Sequence, residues 1–184
     1  MRRWLAAVLV VLAGNAPADE TVSLCYGYGC LSFAEVRYTE LHLATAAHLL
    51  IAAVDAGEER EILGRVIGDM YGWAGQQSDI HNDRGGNLAD GNLPGKMDCI
   101  DHATSTTRLL RVLESRGILR FHRVLEPDVR YWGYVFPAHY SAVIEEKTAG
   151  GAQRFVVDSW FVDNGEPAVI LPLDDWKKGA GPDV

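Results

Sequence analysis

The sequence has little cysteine, no excess of positive charge, no apolar run of membrane-spanning length, and no internal repeat or low-complexity tract. Across 184 residues, 17 Lys and Arg face 25 Asp and Glu for a formal charge of −8. No basic run or basic-aromatic stripe interrupts that balance, so nucleic acid is not an expected partner. The most apolar stretch, Trp4 to Leu12, is about half of the ~20 residues a spanning helix needs, and no permanent membrane anchor is expected. A hydrophobic fraction of 48% with 23% charged residues gives no ground for disorder, and the length suits one domain.

What is present begins with a processing signal. Arg2 and Arg3 precede the apolar stretch, and Ala16, Pro17 and Ala18 follow it with small residues where a signal peptidase reads. Residues 1–18 are therefore expected to be a signal peptide cleaved after Ala18, leaving a domain over residues 19–184 that is periplasmic or secreted. The first cysteine after the apolar stretch is Cys25, too far along for lipid attachment. Loss of Arg2 and Arg3 leaves 15 basic against 25 acidic side chains, a formal charge of −10.

An oxidising compartment lets two of the 3 cysteines join. Cys25 and Cys30 bound the segment Cys25-Tyr26-Gly27-Tyr28-Gly29-Cys30, whose glycines allow the tight turn a disulfide needs. Cys99 is then the odd thiol. A free thiol in such a compartment is a hazard unless it is buried or used, and an inert buried cysteine stays open beside a reactive one.

Residues 21–39 read as strand-like or irregular. Thr39 caps a helix running to about Asp55, with Leu43, Ala46, Ala47, Leu50, Ile51 and Val54 at helical spacing and Gly57 as its stop. A second helix over residues 58–74 buries Ile62, Leu63, Val66, Ile67, Met70 and Tyr71. Residues 76–96 are polar and rich in Gly, Asn and Asp, a long loop. Within it Asp79, His81, Asp83, Asn87 and Asp90 invite a calcium-loop reading, since that ion needs oxygen ligands at alternate positions, but Arg84 stands where a calcium loop turns on Gly and Asp90 replaces its long Glu, which favours a solvated loop. Asp98 caps a third helix whose apolar face is Leu109, Leu110, Val112 and Leu113, with Gly117 as its end. Strand-like runs follow at residues 118–125, 140–145, 154–161 and 168–171. Helices first and antiparallel strands after make the fold α+β, with the helix of Cys99 packed on a C-terminal antiparallel sheet.

Cys99 directly follows a capping residue at a helix start, where unpaired N–H groups and the helix dipole favour a thiolate. A thiolate nucleophile needs a base, and the base needs orienting. His139 heads one strand and Asp158 ends the next. A turn at Gly150-Gly151 would make those strands antiparallel neighbours and bring the two residues opposite each other. An oxyanion hole would use the Cys99 backbone N–H with a second donor from upstream, for which Trp73, Gln76 and Gln77 are candidates, Trp73 reading equally well as core.

Met97-Asp98-Cys99-Ile100-Asp101, then Leu109-Leu110-Arg111 and Arg116-Gly117-Ile118-Leu119, then His139 leading a strand, then Val156-Val157-Asp158-Ser159-Trp160, resemble the core of the transglutaminase-like superfamily over residues 97–161. The resemblance implies a papain-like fold and a Cys99, His139 and Asp158 triad performing thiol-dependent acyl transfer. Similar bacterial members include exported cysteine proteinases in which acidic residues flanking the Cys bind calcium. Asp98 matches that pattern and Ile100 does not, so no metal or other cofactor is carried over. The implied enzyme is a cysteine peptidase or amidohydrolase acting on protein or peptide, with amine transfer as an alternative outcome.

His102, three residues after Cys99 on the same helical face, rivals His139 as base or offers a zinc ligand with Asp98, Cys99 and Asp101, but no second Cys or His pair stands at zinc spacing. His42, His48, His81 and His122 read as structural or exposed. Arg108, Arg111, Arg116 and Arg120 read as a solvated face, one of them a possible contact for a substrate carboxylate. A non-enzymatic exported binding module on the same fold is the rival class.

Overall fold

The chain enters through a hairpin. Strand β1 (Glu20–Tyr26) pairs antiparallel with β2 (Ser32–Tyr38), Glu20 opposite Tyr38 and Tyr26 opposite Ser32. The Gly-rich segment is its tip, and a disulfide joins Cys25 to Cys30. The structure, a computed structural model, describes residues 18–86, 93–131, 138–147 and 153–182. The signal segment before Ala18, Asn87 and Asp90 of the polar loop, and the Gly150-Gly151 turn lie outside the described residues.

Helix α1 (Glu40–Ile51) starts where Thr39 caps it, the Thr39 hydroxyl accepting the His42 N–H and the His42 ring reaching back to Thr39 N–H. It stops short of the expected Asp55. Asp55 instead caps α2 (Ala56–Gly75), its carboxylate accepting Glu58 N–H at 2.9 Å. Gly57 therefore sits inside the first turn of the second helix and is not the end of the first. The strong acceptor of Asp55 outweighs the helix-breaking tendency of Gly57 one turn in. A single turn of tighter helix (Asp79–Asn82) interrupts the polar loop.

Helix α3 (Cys99–Ser115) carries explicit signals at both ends. At its start Asp98 and Asp101 form a reciprocal capping box. At its end Gly117 takes φ +69°, and Ile118 N–H and Gly117 N–H return to the carbonyls of Leu113 and Glu114, both at 2.9 Å. That pairing closes the helix through a left-handed glycine.

The second sheet is antiparallel throughout. Strands β3 (His122–Val124), β5 (His139–Glu146), β6 (Arg154–Asp158) and β7 (Val169–Pro172) lie in the order β3-β5-β6-β7, and β4 (Asp128–Arg130) pairs with the leading half of β5. The run over residues 118–125 forms strand only at His122–Val124, and the strand and turn of helix at β4 and α4 (Leu173–Lys177) were not expected. Ala142 stands opposite Val157 and Ile144 opposite Phe155, and these four enter the main core with Leu109, Leu110 and Leu113 of α3. Val143 and Val156 point to the other face, where Leu173 and Trp176 of α4 cover them. The alternation fixes which strand residues meet the helix of Cys99. The architecture is α+β. Among the described residues no helix is long and apolar enough to cross a membrane.

Candidate active site

The N-cap of α3 places the thiol. One oxygen of Asp98 accepts the N–H groups of Ile100 and Asp101 at 3.0 and 2.9 Å, and Asp101 accepts Asp98 N–H at 3.1 Å. Among the described residues nothing accepts the Cys99 N–H, one of the unpaired N–H groups that every helix start leaves. The thiol is half-buried and lies 3.6 Å from the Ala138 carbonyl, within hydrogen-bonding reach of the His139 ring.

His139, buried at the head of β5, is held from its far side. Its Nε2 lies 2.8 Å from Asp158 Oδ2. An ionised carboxylate only accepts, so the network assigns Nε2 as the protonated nitrogen and leaves Nδ1 for Cys99. Asp158 is 1% exposed and accepts two further bonds, from Trp176 Nε1 at 3.0 Å and Trp160 N–H at 3.3 Å. Three aromatic rings, of Trp160, Phe161 and Trp176, stand 4.9, 5.4 and 5.6 Å from the imidazole and keep water from the His139–Asp158 bond.

Burial pushes the His139 pKa down, but the hydrogen bonds to Asp158 and Cys99, with their charges, overcome it and raise it from 6.5 to about 9. At neutral pH the ring is an imidazolium. The structure thus sets a cationic ring beside the Cys99 side chain at the start of a helix.

Two residues outside the expected set complete the support. Trp176 of α4 is fully buried, and Arg130, at the end of β4 opposite His139, donates to the Trp176 and Ala180 carbonyls at 2.8 Å each with its guanidinium 4.9 Å from the Trp176 ring. Arg130 thereby holds α4 against the sheet and Trp176 against Asp158. No local pattern announces either role, because both depend on chain brought back 18 or more residues later.

The structure brings Cys99, His139 and Asp158 together and separates the upstream oxyanion candidates from them. Trp73 stacks on His42 with ring centroids 4.4 Å apart. Gln77 accepts Arg37 N–H and donates to the Arg37 and Trp73 carbonyls. Gln76 is the exposed C-cap of α2. None of the three has a described contact with the Cys99–His139 pair, because the C-terminal end of α2 docks on α1 and β2.

His102 is likewise committed elsewhere. Its Nδ1 meets Ser159 Oγ at 2.8 Å and its Nε2 meets Asp83 Oδ2 at 2.9 Å. With both ring nitrogens occupied it has none for Cys99 or for zinc. Asp83 also accepts Met97 N–H at 2.9 Å, which spends on protein donors a carboxylate the calcium reading needed. Among the described residues one group of possible metal ligands converges, Cys25, Cys30 and Asp101, and its sulfurs are already joined to each other. The four arginines of the expected solvated face each have a structural partner: Arg108 the Ser23 carbonyl, Arg111 Glu114 and Glu126, Arg116 Glu20 and Glu40, Arg120 the Ile51 and Ala53 carbonyls.

Neither family models, nor curated proteins, nor solved structures give a match to this chain.

Proposed function

We propose that this chain is an exported thiol-dependent acyl-transfer enzyme of transglutaminase-like, papain-like design, acting as a cysteine peptidase or amidohydrolase on a protein or peptide. The observation that carries the reading is the line from Cys99 at the start of α3 through the His139 ring to the buried Asp158 carboxylate, 2.8 Å from His139. The order of elements, with the cysteine on a helix packed against the antiparallel sheet that holds the other two, supports the papain-like assignment. The Cys25–Cys30 disulfide supports export to an oxidising compartment.

The proposed chemistry uses the Cys99 thiolate with the His139 imidazolium beside it. The Cys99 thiolate attacks an amide carbonyl carbon, forming the C–S bond and moving the carbonyl electrons onto oxygen. The Cys99 N–H faces that oxyanion. As the oxyanion collapses the C–N bond breaks and His139 gives its proton to the departing amine. Water then attacks the thioester with His139 taking its proton, and Cys99 leaves as the thiolate. Asp158 keeps the imidazole in one tautomer and stabilises its charge throughout.

A panel of activated acyl donors, followed by intact and peptide mass measurement, tests the proposal. An acyl group retained on Cys99 in wild type and absent in Cys99→Ala is the expected result. No adduct on Cys99 across the panel, with full biological effect retained by Cys99→Ala, points instead to a binding module on the same fold.

A further inference from the structure

The helix start that carries Cys99 is fastened by a loop that the acyl-transfer chemistry does not use. The loop is the disulfide-closed tip of the β1–β2 hairpin. Gly27 N–H donates to the Lys96 carbonyl at 2.8 Å, just upstream of the thiol. Tyr28 N–H and Cys30 N–H donate to the two oxygens of Asp101, at 2.8 and 2.5 Å, just downstream of it. Further along α3, Ser105 Oγ accepts Cys25 N–H at 2.9 Å and contacts the Cys25 carbonyl at 3.2 Å. Asp101 also accepts Asp98 N–H, so one fully buried carboxylate fastens both the disulfide loop and the first turn of the helix that Cys99 begins.

The backbone of the loop is held in an unfavourable shape. Gly27, Tyr28, Gly29 and Cys30 all have positive φ, at 88, 68, 71 and 59°. Side chains disfavour that region, and residues stay in it only where their surroundings fix them. Tyr28 and Cys30, the two that are not glycine, are the two whose N–H groups reach Asp101. The carboxylate holds the loop from one side and the Cys25–Cys30 bond from the other.

We propose that the Cys25–Cys30 disulfide is a redox latch on the nucleophile, with Asp101 as the positioning residue through which it acts. Oxidised, the loop presents two N–H groups to Asp101 and so fixes the first turn of α3 and the thiol. Reduced, it relaxes from the left-handed shape, Asp101 loses two of its donors, and Cys99 loses its set position against His139. A dithiol opens the latch by exchange: it is oxidised to its own disulfide while Cys25 and Cys30 take up two electrons and two protons, and Cys99 is unchanged. The chain is thus latent where disulfides are kept reduced and competent where they form, although its nucleophile is a free thiol in both. This inference rests on the reading of Cys99 as an activated nucleophile.

The test is the rate at which iodoacetamide alkylates Cys99, read on the Cys99 peptide by mass, with a thermal melt of each sample. The samples are oxidised wild type, wild type treated with a dithiol that is then removed, the Cys25→Ser/Cys30→Ser double variant, and Asp101→Asn with its disulfide intact. Oxidised wild type should react faster than a model thiol at neutral pH. The other three, still melting cooperatively, should be slower by about tenfold to a hundredfold, the scale of a misplaced reacting group. Reoxidation should restore the dithiol-treated sample and leave the double variant slow, a recovery that a purely stabilising crosslink would not produce in a protein that never unfolded. Oxidised wild type no faster than the model thiol overturns the nucleophile reading and the latch together. Fast wild type with equally fast dithiol-treated and Asp101→Asn samples overturns the latch alone, and those two samples decide the matter if the double variant fails to fold.

Discussion

Asp158 carries the largest share of the site's electrostatics at the scale of single residues. It is buried, it accepts from His139, Trp176 and Trp160, and its charge raises His139. Asp158→Asn keeps the shape and removes the charge. The His139 titration, followed by NMR, should then fall from about 9 toward 6.5, and turnover of any acyl donor found should drop by about 10³- to 10⁴-fold. Trp176→Phe removes the N–H donor and trims a fully buried ring, so the protein should melt at a lower temperature while Asp158, with one donor fewer, binds the imidazolium more tightly and the same NMR titration moves upward. The wild-type pH dependence has a definite sign. The folded His139 value lies above the unfolded 6.5, so its ion-pair stabilisation is fully present below pH 6.5 and is lost as pH rises through about 9. Turnover should decline over the same range, because the departing amine needs the His139 proton. A turnover profile still rising beyond pH 9 would contradict that assignment.

Among the elements, α3 was legible because its determinants are local: Asp98 and Asp101 at one end and Gly117 at the other. The start of α2 was misplaced because two local signals, Asp55 and Gly57, compete within one turn. The anchor between α2 and the sheet was legible only in its spacing. Glu59 stands one turn before Leu63 and two before Val66, on the apolar face of α2, where it is fully buried and accepts Arg120 N–H at 2.7 Å, Phe121 N–H at 3.1 Å and the His122 ring at 2.7 Å. Only the tertiary fold brings β3 to it. Glu59→Ala leaves those N–H donors and His122 Nδ1 unpaired in the core, and should lower stability by about 3–5 kcal/mol in denaturant titration. Burial raises the Glu59 pKa, but the His122 and backbone bonds outweigh it and the folded value is lowered. Its stabilisation is therefore present above the unfolded value of 4.5 and lost as pH falls through the folded one. Wild type should lose stability on acidification there, and a Glu59→Gln variant should lose less.

Over the whole molecule, three separated segments converge: the start of α3, the head of β5 and the end of β6. The convergence was legible because His139 and Asp158 sit on neighbouring antiparallel strands, and alternation within those strands sets which face meets α3. What surrounds the triad was not legible, because it comes from chain with no motif of its own. Trp176 and Arg130 arrive from α4 and β4, and the disulfide loop arrives from the first hairpin. The upstream candidates Trp73, Gln76 and Gln77 were placed by sequence nearness, which the docking of α2 on α1 and β2 overrides.

The central claim is that Cys99 is a nucleophile made reactive by His139. It is tested most directly by the alkylation rate of Cys99 as a function of pH in wild type and in His139→Ala. Wild type should exceed a model thiol at neutral pH, and His139→Ala should fall by at least about tenfold there as the neighbouring cation is lost. Equal rates for the two proteins, both matching the model thiol, would contradict the account.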